Sequence, residues 1–167
     1  NSALALDELL QLIVESATQV LRGARCAVAL VDDRQDTVVV SAASGMLRDR
    51  LPDITFRLGE GVTGWVVENR QPVLINEAQD DPRFRPLADW PVASLISVPL
   101  ISENRVMGAL LATSPEAHAF AEADVNLLDA FGDQAAIAVK NARLYGQLLL
   151  EEKETARLYQ SVLEKSN

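Results

Sequence analysis

Apolar positions follow helical spacing at both ends of this chain and form short runs in between. From Leu4 to Leu21 they recur at i, i+3, i+4 and i+7, which predicts an amphipathic helix over residues 4–22. Gly23 follows as the expected C-cap. The middle of the chain holds apolar runs of three to eight residues separated by polar, glycine and proline residues, a pattern typical of strands and turns.

The middle runs predict two hairpins and two isolated strands. Cys26–Val31 is apolar throughout, which indicates a central strand buried on both faces. Polar residues then turn the chain back into an alternating run, and a similar pair of runs follows after residue 93. We assign strands to residues 25–31, 37–43, 54–58, 73–75, 94–101 and 106–112, and a short helix or loop to residues 46–53.

A second helical pattern runs from Ala121 to about Lys165 without a proline. About 45 residues at a rise of 1.5 Å make a helix of roughly 65 Å, whereas a globule of this length is roughly 40 Å across. We therefore expect a body at residues 1–145 and a projecting helix at 146–167 that pairs with a second copy as a coiled coil. The predicted dimer contacts are Leu10, Ile13, Tyr145, Leu149, Tyr159 and Leu163.

One stretch, Gly59–Gly64, has the G-x-G-x-x-G spacing of a dinucleotide-binding turn, and acidic residues follow about 20 positions later. The segment that follows argues against that interpretation. Only Trp65–Asn69 can be helical before Pro72, and a parallel crossover needs a dozen or more residues. We favour a glycine-hinged turn that directs a short helix and Trp65 over a cavity.

The stretch from Asn76 to Pro91 contains three prolines and no clear period. Its large apolar side chains would cost about 1.5–3 kcal/mol each if left in water, so we expect it to be ordered over a cavity. The aromatic residues here could line a pocket or fill a core, and Asp81-Pro82 could cap a helical turn or form a metal or anion site. The pocket candidates are Phe56, Trp65, Ile75, Arg83, Phe84, Leu87, Trp90, Ser94, Ile96 and Ser97.

Composition excludes several function classes. A net charge of −9 without a basic patch argues against nucleic-acid binding. No apolar run approaches the roughly 18 residues of a membrane span, and no charged-then-apolar leader is present, so we expect a cytoplasmic segment, cut from a larger protein. Cys26 is the sole cysteine and His118 the sole histidine. We expect a buried structural thiol, a solvated loop histidine and no catalysis.

The chain resembles the GAF domain family of small-molecule sensor modules, because a set of motifs occurs in the family's order over nearly its whole length. The resemblance implies an α+β fold: an antiparallel sheet of about six strands, N- and C-terminal helices on one face, and a ligand pocket with short helices and loops on the other. The matching stretches are Gly59–Val66, Asp80–Phe84, Ser97–Leu100, Val106–Leu110, Phe120–Asp124 and Gln134–Tyr145.

The cofactor that this resemblance implies is unknown. Cyclic-nucleotide-binding members carry an Asn-Lys, Phe, Asp-Glu signature; Phe120 and Asp124 match it, but Thr113-Ser114 and Val125 do not. Bilin-binding members attach the chromophore through a pocket cysteine, and methionine sulfoxide reductases need several cysteines. Cyclic nucleotide, bilin and haem are therefore not expected.

These patterns predict a non-catalytic regulatory sensor that binds an unidentified small molecule and acts as a homodimer. Its C-terminal helix would carry the signal to an attached output domain such as a histidine kinase, a cyclase or a transcription activator. One alternative is a degenerate domain with a filled pocket that serves only as a dimerisation spacer; a cavity well below ~300 Å³ would favour it. Another is a redox or hydrolytic enzyme on the same fold, which would lose turnover when Cys26 or His118 is replaced.

Overall fold

The structure is a computed structural model that describes residues 2–32, 34, 36–45, 55–86 and 90–165, although not the side chains of residues 2–4, 55 and 56. Nine helices and strands succeed one another in the described part, with a 3₁₀ turn at Ala78–Asp80 between β4 and β5. They are α1 Ser2–Val20, β1 Arg25–Asp32, β2 Thr37–Ala43, β3 Thr55–Arg57, α2 Gly61–Asn69, β4 Val73–Ile75, β5 Ser94–Ser102, β6 Arg105–Ser114 and α3 Glu122–Lys165.

The six strands form one antiparallel sheet in the order β3-β2-β1-β6-β5-β4. The α+β class and the number of strands were predicted correctly. Each described strand falls on a predicted segment, and its bounds differ by at most two residues. The helix or loop predicted at residues 46–53 lies outside the described residues.

The central strand β1 is buried on both faces, as its apolar run predicted. Cys26 and Val28 belong to the apolar cluster on one side of the sheet, and Ala27 and Ala29 belong to the cluster on the other. The backbones of β1 and β6 approach closely at Gly108, where an added Cβ would overlap the carbonyl oxygen of Ala29. The two strands can therefore pair closely only if this position has no side chain.

Helices α1 and α3 cover one face of the sheet, which we call the helix face. Its core contains fully buried Leu10, Val14, Leu110 and Leu128 together with Ile96. Leu10 was predicted to contact a second copy, but it has no accessible surface in a single copy. That prediction is wrong, because the helical period placed Leu10 equally well on the core side of α1.

The end of α1 is joined to the start of α3. Gly23 donates its backbone N–H to the carbonyl of Thr18 at 2.8 Å, while Arg22 takes the left-handed φ of 57°, so the pair forms a Schellman end. The Arg22 guanidinium donates to both carboxylate oxygens of Asp124 at 3.0 and 3.1 Å, and Asp124 also accepts the N–H of Ala121 at 2.9 Å. These bonds lower the pKa of Asp124, and the hydrogen bond from Arg22 has the largest effect.

Helix α3 is a single helix of 44 residues. Its first half packs on the sheet and on α1, and its buried residues end at Val139. Every side chain from residue 147 to residue 160 is exposed. At a rise of 1.5 Å per residue, the part after residue 146 extends about 30 Å.

The glycine stretch builds a helix start rather than a nucleotide site. Helix α2 begins at Gly61, inside the motif and earlier than the predicted Trp65, and Gly61 itself has φ of 71°. A Cβ on Gly64 would lie 2.7 Å from the carbonyl oxygen of Arg57, so this glycine lets α2 pack against β3. The next strand, β4, pairs antiparallel with β5 at the edge opposite β3, and the parallel crossover of a dinucleotide fold is therefore absent from the described residues.

Among the described residues, no helix has the length and apolarity needed to cross a membrane.

Candidate functional site

A small cavity lies on the face of the sheet opposite α1 and α3, which we call the cavity face. Its volume is about 40 Å³, enough for a few water molecules and far below the roughly 300 Å³ at which ligand sites begin. The first turn of α2, the segment after the 3₁₀ turn, and strands β5 and β6 enclose it. Its lining is Gly61, Val62, Thr63, Phe84, Arg85, Trp90, Val92, Leu95, Leu111 and Thr113.

The segment between the 3₁₀ turn and β5 is held over the cavity by a hydrogen bond from Trp90. This side chain is buried, and its Nε1–H donates to Oγ1 of Thr113 at 3.0 Å. The Thr113 hydroxyl in turn donates to the carbonyl of Arg25 at 3.3 Å. Trp90 therefore fills space at the end of β6 with its only polar atom satisfied, as a core tryptophan does.

Asp81 and Arg83 form a compact turn on the outer side of the same segment. The Asp81 carboxylate accepts the backbone N–H of Arg83 at 2.9 Å and its guanidinium at 3.0 and 2.7 Å. This guanidinium lowers the pKa of Asp81 and stacks 4.5 Å above the ring of Trp65. The predicted cap is confirmed: Asp81 accepts the N–H of Arg83 and Phe84 N–H closes a single turn on the Asp81 carbonyl at 3.1 Å, although no longer helix follows it.

The structure brings together only part of the predicted pocket. Phe84 and Trp90 line the cavity, whereas Trp65 and Ile75 belong to the surrounding apolar cluster. Ser97 is fully buried, and its hydroxyl donates to the carbonyl of Leu110 at 3.2 Å. Leu87 and the side chain of Phe56 lie outside the description. Whether any of these side chains binds a ligand remains a prediction.

Two predicted pocket residues were placed wrongly. Ile96 packs in the helix-face core with no accessible surface, because neighbouring residues of a strand point to opposite faces. Ser94 donates its hydroxyl to the carbonyl of Glu116 at 2.6 Å and accepts the N–H of Ala119 at 3.3 Å. It secures the loop after β6 and is absent from the cavity lining.

Sequence reasoning missed most of the cavity wall. Leu95 and Leu111 alternate with the helix-face residues of β5 and β6, so strict alternation along those strands would have found them. Val62 and Thr63 were missed because α2 was expected to begin at Trp65. Thr113 was considered only as a departure from the cyclic-nucleotide signature.

The sole cysteine and the sole histidine of the chain lie in the surroundings that the sequence predicted for them. Cys26 is fully buried, and burial raises the pKa of its thiol to about 11, so it is protonated at neutral pH. The side chain of His118 is 63% exposed, and its Nε2 lies 3.6 Å from Oε1 of Glu77. The part of the chain that the structure describes contains no cluster of three or more His, Cys, Asp or Glu residues suited to a metal ion.

An apolar groove of about 340 Å³ lies between α1 and α3 on the outer surface. Ile13, a predicted dimer contact, lies in this groove but is itself buried. The four other predicted contacts, on the distal part of α3, are exposed: Tyr145, Leu149, Tyr159 and Leu163. Their pairing with a second copy remains a prediction.

Comparison with known proteins gives one family and several relatives. A family model described as the GAF domain matches residues 3–140. The Nif-specific regulatory protein of Azospirillum brasilense is 27% identical over 99% of this chain and 25% of its own length. That of Azospirillum lipoferum is 30% identical over 66% of this chain and 18% of its own length. The chain therefore spans about a quarter or less of the curated relatives that it matches.

Solved structures share the fold. The GAF domain of a phosphoenolpyruvate-protein phosphotransferase from Coxiella burnetii has a TM-score of 0.79 at 23% identity, covering 85% of this chain and 86% of that one. The free methionine-R-sulfoxide reductase of Neisseria meningitidis, in complex with its substrate, has a TM-score of 0.74 at 22% identity, covering 84% and 81%. At these identities the likeness concerns the fold alone.

Proposed function

This chain belongs to the GAF domain family, and from that membership we propose that it is a regulatory domain that passes a signal through α3 to an output domain. Its similarity to two Nif-specific regulatory proteins supports a regulatory role, and their greater length supports an attached output domain. A transcription activator, a histidine kinase or a cyclase would each be able to receive the signal from this helix. We place the protein in the cytoplasm.

The observation that carries the proposal is the shape of α3. Its first half is buried against the sheet and α1, and its second half leaves the body as exposed helix. A rigid helix that is packed at one end converts a shift in the body into a displacement at its far end. It transmits a signal only when the body has two arrangements that an input favours unequally.

Insertion of residues into α3 tests this role. Each inserted residue rotates the distal part by about 100°, and seven restore its direction to within about 20°. In the intact regulator, alanine insertions after Glu152 should make output activity rise and fall with insertion length. The variant with seven alanines should approach the unmodified activity. A smooth decline with length would show that α3 is only a tether.

We also propose that the domain acts as a homodimer through its terminal helices. Every side chain of α3 from residue 147 to residue 160 is exposed in a single copy, and most helical stability in proteins comes from packing rather than from propensity. A second copy supplies that packing symmetrically. Sedimentation velocity should show a dimer, and a monomer would contradict this part of the proposal.

The cavity favours a filled domain over a ligand-binding one. A volume of about 40 Å³ meets the criterion set for the dimerisation spacer, since ligand sites begin at roughly 300 Å³. In this interpretation the signal reaches α3 from neighbouring domains or partners. Native mass spectrometry of the purified protein should then give the mass of two chains, with no additional small molecule bound.

Small-molecule sensing is the second candidate function. Among the described residues between β4 and β5, the only regular element is the 3₁₀ turn Ala78–Asp80. Phe84 and Trp90 lie on the cavity wall, so movement of the segment that carries them would enlarge the space. A co-purified mass would favour sensing. Phe84→Ala and Trp90→Ala should then reduce ligand binding more than they reduce the free energy of unfolding, and equal losses would indicate a plain core.

We propose no catalytic role. A methionine sulfoxide reductase shares the fold, but Cys26 is a buried, protonated thiol. In the described part of the chain, no hydrogen bond joins the His118 side chain to a nucleophilic side chain. Loss of a measurable turnover in Cys26→Ser or His118→Ala would contradict this.

A further inference from the structure

Two neighbouring stripes of apolar residues run along α3. The inner stripe continues the spacing of the body-facing positions and contains Tyr145, Leu149, Tyr159 and Leu163. The outer stripe lies one residue earlier in the sequence, about 100° around the helix. It contains Ile137, Leu144, Leu148, Leu158 and Val162, at spacings of seven, four, ten and four.

The two stripes differ where α3 crosses the body. The inner stripe continues there as Leu128, Ala135 and Ala138. These side chains lie on the side of α3 that faces the body and are already buried in a single copy. A second copy can therefore reach the inner stripe only beyond the body. The outer stripe is open along its whole course, from Ile137, which is 58% exposed, to Val162, which is 64% exposed. That course spans 25 residues, or about 38 Å.

Helix α1 widens the outer stripe at the body. Leu9 and Leu12, 43% and 59% exposed, line the same groove as Ile137, with Phe131 behind them. A leucine that is half-exposed beside an apolar groove is costly in water. The outer stripe and this groove form one largely apolar surface, interrupted between Leu148 and Leu158 by Glu151 and Thr155. We call it the outer seam: Leu9, Leu12, Ile137, Leu144, Leu148, Leu158 and Val162.

The area of the outer seam suits a dimer. Seven half-exposed side chains offer on the order of 80 Å² each, about 600 Å² in all. A stable interface of standard size buries about 800 Å² on each partner, and polar neighbours along the stripe, such as Asn141 and Thr155, supply the remainder. Such a patch on one protein usually marks an interaction site.

We propose that a second copy of this chain occupies the outer seam, so that the dimer interface includes Leu9 and Leu12 of α1 and is centred on the outer rather than the inner stripe. This rests on the proposed homodimer and names its contact surface. A two-fold axis beside α3 brings the same residues of both copies together. The seam runs from the body to the far end of the helix, which couples the paired bodies directly to the distal helices.

Two double variants on adjacent positions test the assignment. Leu148→Glu with Leu158→Glu places two charges on the outer stripe, and Leu149→Glu with Tyr159→Glu places two on the inner stripe. All four side chains are exposed in one copy, so both variants should keep the folded body, and circular dichroism checks this. Net charge changes equally in the two.

Sedimentation equilibrium should show the dimer dissociation constant rising about 100-fold or more in the outer variant, because a charge would be buried without a partner. The inner variant should change it less than about tenfold. Leu12→Glu should raise the dissociation constant by about tenfold.

The remaining outcomes separate the two proposals. A larger effect in the inner variant, or equal effects in both, would overturn the outer seam while the homodimer stands. A monomeric unmodified chain would overturn the homodimer itself.

Discussion

The two faces of the sheet are built from different kinds of chain, and they are packed differently. On the helix face, two long helices supply regularly spaced side chains, and Leu10, Leu110 and Leu128 are fully buried. On the cavity face, a nine-residue helix and a segment with one 3₁₀ turn cover the sheet and leave a space of about 40 Å³. A periodic helix can fill its groove at every turn, whereas short irregular cover cannot. The helix face therefore contributes most of the tightly packed core, and the cavity face is where side chains have room to rearrange.

The strongest test acts on the sheet that both faces share. Gly108→Ala should destabilise the protein by about 3 kcal/mol or more, because its Cβ would overlap the backbone of Ala29 in β1. Chemical denaturation measures the loss. Gly146→Ala is the control: nothing lies within 4 Å of an added Cβ there, so it should stabilise α3 by up to about 1 kcal/mol. A mild effect at Gly108 would mean that β1 and β6 can separate.

The next test compares the two faces directly. Leu128→Ala should cost about 2–5 kcal/mol, since it opens a cavity in a fully packed core. Phe84→Ala should cost only about 1–2 kcal/mol, because this partly buried ring already borders open space. Urea denaturation of both variants gives the comparison. Similar losses would show that the cavity face is packed as tightly as the helix face.

A smaller effect is expected from the hydrogen bond over the cavity. Trp90→Phe removes the donor to Thr113 and should cost about 1 kcal/mol beyond the lost ring area. The double variant with Thr113→Val should lose less than the sum of the two single variants, since neither partner is then left unsatisfied. Additive losses would show that the bond does not hold the segment.

The smallest effect concerns the link between α1 and α3. The pKa of Asp124 is lowered in the folded protein below its unfolded value of about 3.9. The stabilisation is therefore complete above about pH 4 and is lost as the pH falls through the lower folded pKa. In Arg22→Ala, the free energy of unfolding should fall less steeply below pH 4 than in the unmodified protein. Arg157→Ala, which removes an exposed ion pair with Glu154, should leave that slope unchanged.

The sequence predicts the elements well and their surroundings less well. The helical period found α1 and α3, and the runs at Cys26–Val31 and Thr37–Ala43 found β1 and β2, because these patterns depend on local spacing. The period of α1 grouped exposed Leu9 with buried Leu10, because both fit the apolar spacing although they lie about 100° apart around the helix. The inner stripe was chosen for α3 because its spacing continues the body-facing residues, which the body itself covers.

The candidate site was harder to predict for a physical reason. The segment from residue 76 to residue 92 has no period, so its aromatic residues could be recognised but not placed. Ile96 and Ser94 were assigned to the cavity together with Ser97. Each lies an odd number of residues from Ser97 along the strand, so its side chain points to the opposite face. The size of the cavity depends on how side chains from α2, β5 and β6 meet, and no local pattern records that.

The measurement that tests the account most directly is sedimentation velocity of the unmodified chain across a range of concentrations. The account predicts a dimer at micromolar concentration with an elongated frictional ratio, because two distal helices extend about 30 Å beyond the paired bodies. A compact or extended monomer persisting to about 100 μM, where a complex with a micromolar dissociation constant would be formed, would contradict it.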